Sequence, residues 1–173
     1  MDIDGIDRLT RAVFRLGLCE LVVPRLRVAP DYSYAIDALA SAWAWVQGSN
    51  VSAAHLTSLL WDDDDRGVVP PMTLETEKPW WDEWGCVAMA VMLVAFFAHK
   101  EEGSSAVPEM LEDADAQADE DEFGAYFFRV FPRSDVARQL QVVLMSMRAD
   151  EYTRENIRET VFRIARDCGV AVP

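Results

Sequence analysis

The chain has 173 residues, 51% of them hydrophobic, and carries a net charge of −14 from 30 acids against 16 Lys and Arg. That length suits one domain with a sizeable core, and the apolar content excludes a wholly disordered chain. The charge argues against direct binding to nucleic acid or anionic membranes, whose phosphates would be repelled.

Ile6, Leu9, Val13 and Leu16 recur at helical spacing, so the first segment reads as an amphipathic helix with Arg8, Arg11 and Arg15 on its polar face. Pro24 should end it by Val23, since proline lacks a backbone donor and clashes with the turn before it. Asp31 or Ser33 can cap a second helix running to about Gln47, with Ile36, Leu39, Ala40 and Trp43 as its apolar stripe. Gly48 suits the left-handed closing position. Ser52 can then cap a short helix bearing Leu56, Leu59 and Leu60.

Residues 62–78 form a long break with four Asp, one Gly and two Pro. Pro79 suits the first turn of the next helix. There Asp82 and Glu83 meet the positive end of the helix dipole, and His99 and Lys100 the negative end. The apolar run of residues 86–98 is too short to cross a bilayer, which takes about 20 residues, and reads as a helix buried on most sides. A second acidic break, about residues 101–119, contains Pro108 and room for one or two helical turns after it. The next helix, about 120–131, places Phe123, Tyr126, Phe127 and Val130 on one side and stops at Pro132. Ser134 can cap a helix bearing Val136, Leu140, Val143, Leu144 and Met147. Thr153 can cap the last, with Ile157, Val161, Ile164 and Cys168 at helical spacing and Gly169 as its stop. The expected fold is all-α: one domain over residues 1–173, a bundle of about seven helices around a buried central helix.

Signals for chemistry are sparse. The three cysteines, Cys19, Cys86 and Cys168, are far apart and read as small core residues of a reduced compartment. The first residues lack the features of a secretory signal, so a cytoplasmic location is expected. The two histidines, His55 and His99, lie in no zinc-binding arrangement. No nucleophile elbow and no glycine-rich phosphate loop is present. Asp62, Asp63, Asp64 and Asp65 lack the alternating ligands and central glycine of an EF-hand, so neither a metal nor another cofactor is expected, and no catalytic residue is assigned.

The charge is concentrated. Between residues 101 and 125 there are ten acids and no Lys or Arg, Glu109, Glu112, Asp113, Asp115, Asp119, Glu120, Asp121 and Glu122 among them. Such a block is either well solvated or presented to something positive. Trp80 and Trp81 stand beside the first acidic break, and interface hot spots favour Trp within a polar rim. These Trp residues, with residues 62–65 and the acids of 109–122, are the candidate partner-binding surface. Arg154, Arg158, Arg163 and Arg166 form either the solvated face of the last helix or a dock for the chain's own acidic segment.

The sequences ALASAWAWVQG (residues 38–48), AHLTSLLWDDDD (54–65), the helix of residues 84–98 and VPEMLED (107–113) together resemble the all-helical immunity proteins of bacterial polymorphic-toxin systems, the family catalogued as immunity protein six. The resemblance spans roughly residues 35–115. It implies a cytoplasmic, non-enzymatic protein that binds and neutralises a cognate toxin domain. The acidity fits a basic toxin domain such as a nuclease, whose phosphate-binding cleft an acidic partner can occupy. A helical adaptor within a larger assembly is the alternative reading of the same helices.

Overall fold

The computed structural model describes residues 8–62, 64, 66–69, 80–104, 107–111, 122–132 and 135–172. Among them are seven α-helices and no strand: α1 (Arg8–Val22), α2 (Tyr32–Val46), α3 (Ala53–Leu60), α4 (Trp81–Glu101), α5 (Glu122–Val130), α6 (Val136–Leu144) and α7 (Arg154–Asp167). Two 3₁₀ segments, Val23–Val28 and Ala149–Glu151, join α1 to α2 and α6 to α7. The fold is all-α, as the helical periodicities predict.

Helix α4 is the centre. It is buried from Trp84 to His99 apart from Met92, because α1, α2, α3 and α5 all pack on it. At 21 residues it extends well past the apolar run of residues 86–98. By length and composition alone it could cross a membrane, but 83% of its most apolar window is covered by the other helices. α1 runs antiparallel to α4: the Cys19 thiol donates to the Cys86 carbonyl at 3.4 Å, while Arg8 sits over the Phe97 ring at 6.0 Å. α5 is also antiparallel to α4 and comes very close at Gly85, where a Cβ would lie 2.8 Å from the Tyr126 ring. Glycine here admits an aromatic face that any side chain would exclude.

Local signals explain most helix ends. The Ser52 hydroxyl accepts from the His55 N–H at 3.1 Å, and the Thr153 hydroxyl from the Asn156 N–H at 3.2 Å, each satisfying a donor the helix cannot. Pro24 turns the end of α1 into the 3₁₀ segment. Gly48 and Gly169 close α2 and α7 at φ 77° and 74°.

Several sequence expectations are corrected. Arg15 is buried, not on a polar face: it donates to the Met89 carbonyl at 3.4 Å and lies over the Phe123 ring at 5.4 Å. α1 is covered on almost every side, so its long Arg stem packs in the interior. The buried face of α2 is Ala35, Ala38, Leu39, Ala42 and Trp43, with Ala40 exposed. Small alanines, not the bulkier Ile36, allow α2 to approach its neighbours. Asp31 precedes α2 in a left-handed conformation and makes no side-chain cap. Ser134 lies outside the described residues, and Asp135 is the residue before α6.

Candidate functional site

The first acidic break is a folded knob rather than a spray of free carboxylates. Asp62 directs Oδ1 to the backbone N–H groups of Asp64 and Arg66, at 2.9 Å each. Its Oδ2 accepts from Arg66 Nε at 2.8 Å, and the other side of that guanidinium reaches Asp64 at 2.7 Å. These N–H donors, that of Arg66 first, hold the Asp62 carboxyl below its usual pKa. The Asp62 N–H in turn donates to the Arg66 carbonyl at 2.9 Å. Beyond the turn, the N–H groups of Val68 and Val69 donate to the carbonyls of Leu59 and Leu60, both at 3.1 Å, with Val68 fully buried. The chain thus folds back onto the end of α3 and satisfies carbonyls that the helix leaves open. Gly67, at φ 132°, lies against the Leu60 carbonyl, where a Cβ would collide.

The remaining candidates lie apart. Trp80 and Trp81 are half-buried at the start of α4 and pack on the core. That end is also tied by ion pairs of Asp82 to Arg129 at 2.6 Å and of Glu83 to Arg25 at 3.1 Å. Glu109 is exposed in a helical turn of residues 109–111, anchored by buried Leu111. Glu122 opens α5 and accepts from the Tyr126 hydroxyl at 3.3 Å. Asp63, Asp65, Glu112, Asp113, Asp115, Asp119, Glu120 and Asp121 lie outside the described residues.

Polar groups in the interior are engaged in holding helices together. The Glu20 carboxylate accepts from Trp43 Nε1 at 2.9 Å and from Arg154 Nε at 2.7 Å, with Arg158 at 3.8 Å. Arg154 therefore docks on an acid of α1, not on the acidic segment, and is not part of a purely solvated face. His99 is buried between Thr57, at 3.0 Å from Nε2, and Ser104, at 3.2 Å from Nδ1. Glu102 accepts from the Ala53 N–H at 2.7 Å and so caps α3 from the far end of α4. Burial pushes the Cys19 and Cys86 thiols up, so both stay protonated. Among the described residues, no three His, Cys, Asp or Glu side chains gather as a metal-ligand set.

Sequence reasoning overlooked one surface residue. Trp61, at the end of α3, is 40% exposed, more than Trp80 or Trp81. The signal was present: Ala53, Leu56 and Leu60 define the buried face of α3, and position 61 lies off that face.

The model of the family described as "Immunity protein Imm6" matches residues 10–130, well over half of the chain. The chain belongs to the Imm6 family. Membership implies an immunity role against a toxin. The match takes in α1 through α5 and extends well beyond the middle segments that carry the sequence resemblance. No curated protein and no solved structure matches the chain.

Proposed function

We propose that this Imm6 protein neutralises its toxin in the cytoplasm by covering it with an acidic surface, through binding and not through catalysis. The family match over residues 10–130 carries this reading. The distribution of charge supports the mechanism. Asp64 and Glu109 are exposed, and the sequence around them is strongly acidic. The partner this surface suits is a basic toxin domain, with a nuclease as the best-fitting class, because a cleft built for phosphate is positive. Steering by opposite charge raises association to about 10⁸–10⁹ M⁻¹s⁻¹ at low salt. It fades beyond about 8 Å at physiological ionic strength. The same charge disfavours nucleic acid and anionic membranes as partners. The binding surface proposed comprises residues 62–65 and 109–122, with Trp80 and Trp81 at its edge.

The test is co-expression with the toxin domain encoded beside this gene, together with stopped-flow association at rising salt. Growth should be restored, and the association rate should fall steeply with salt. Reversing Asp64, or Glu112, Asp113 and Asp115 together, should slow association while leaving the fold intact. Asp62 is a poor choice for reversal because it shapes the turn. Absence of protection would overturn the immunity reading for this toxin; protection with salt-insensitive binding would overturn the electrostatic mechanism and favour an apolar interface of the adaptor type.

A further inference from the structure

We propose that Trp61, on the outer face of α3, is the aromatic anchor on which a basic face of the toxin seats; this rests on the immunity reading above. Of the six tryptophans, Trp43 and Trp84 are 1% and 3% exposed, and Trp45, Trp80 and Trp81 are half-buried against the core. Trp61 is the exposed one. It continues a face of α3 formed by Ala54, His55 and Ser58, all exposed, while Ala53, Leu56 and Leu60 hold the opposite face in the core. None of the described helices covers this outer face.

Two further features suit it to a basic partner. Trp61 is followed directly by four Asp and a single Arg, so an aromatic surface and a net negative rim stand side by side. An incoming Arg or Lys gains a cation–π contact with the indole and an ion pair with Asp64 from the same approach. The anchor is also presented on a fixed support. The Trp61 N–H donates to the Thr57 carbonyl at 3.2 Å, Asp62 and Arg66 lock the turn after it, and Val68 is buried beneath. A pre-ordered loop loses little conformational freedom on docking, so more of the contact energy becomes affinity.

The experiment is calorimetric titration of the full-length protein with a catalytically inactivated form of the toxin domain encoded by the adjacent gene, using wild type, W61A, W61F and S58R. W61A should weaken binding by about thirtyfold or more, as for an interface hot spot. W61F should retain most of the affinity, and S58R should block the same face without touching the core. If W61A does not fold, S58R decides the matter. Wild-type binding with S58R and a folded W61A both within about twofold of it would overturn the anchor while leaving the immunity reading standing. No binding by wild type would overturn both.

Discussion

Glu20 in α1 and Arg154 at the start of α7 pair at 2.7 Å although 134 residues separate them. The carboxylate side chain is 5% exposed and the guanidinium side chain 28%, so the pair is set at the inner edge of the bundle. Trp43 of α2 completes it. Three helices, one of them beyond the Imm6 match, therefore meet on one acid.

The first prediction concerns that junction. R154A leaves Glu20 buried with only a distant arginine, and breaking such a pair from one side is expensive. A loss of about 3 kcal/mol is expected. R158A, removing a half-exposed group at 3.8 Å, should lose less than about 1 kcal/mol. Urea unfolding of the two variants checks the contrast, and equal losses would show that the pairing is assigned wrongly.

Gly85 offers a second test. In G85A the new methyl meets the Tyr126 ring, a rigid neighbour held between α4 and α5. Alanine returns about 1 kcal/mol of helix propensity, but overpacking of this kind takes about 1–3 kcal/mol. The variant should be destabilised, with α5 displaced. A gain in thermal midpoint would show that α5 can move aside freely.

The pH response of the 62–66 turn has a defined sign. The Asp62 carboxyl is held below its unfolded value of 3.8 by N–H donors, that of Arg66 first, so folding favours its ionised form. Its contribution is fully present above pH 3.8 and is lost as pH falls below that value through the folded pKa. D62N should therefore have a lower thermal midpoint than wild type at pH 7. The gap should close as the pH is taken below 3.8, measured by parallel melts across that range. A gap that persists unchanged in acid would mean that the carboxylate charge does not hold the turn.

The cysteines should separate cleanly with a thiol reagent. Cys168 is half-buried, whereas Cys19 and Cys86 are buried with thiols shifted further toward protonation by desolvation. One thiol should react promptly in the native protein and two only after unfolding. Prompt reaction of all three would contradict the packing of α1 against α4.

Much of the fold is readable along the chain because its signals are local. Ser52 and Thr153 cap the helices they precede, and Phe123, Tyr126 and Phe127 form the buried face of α5 that their spacing predicts. The candidate site was less legible. Residues 62–65 read as uniform negative charge, yet Asp62 and Asp64 are both engaged by Arg66, a contact between near neighbours that depends on how the turn closes. Trp80 and Trp81 stood out by number, and Trp61 by exposure.

The sequence by itself determined the all-α class, the number of main helices, the central apolar segment and the concentration of acid, all of which follow from periodicity, caps and composition. Only the tertiary structure decided which charged groups go inside. Arg15 and Glu20 sit on a helix with three buried neighbours around it, and each is tolerated there because residues remote in sequence, Met89 and Phe123 for one, Trp43 and Arg154 for the other, supply the partners that water would otherwise provide. Such partnerships depend on how helices pack in space, and no pattern along one helix contains that information.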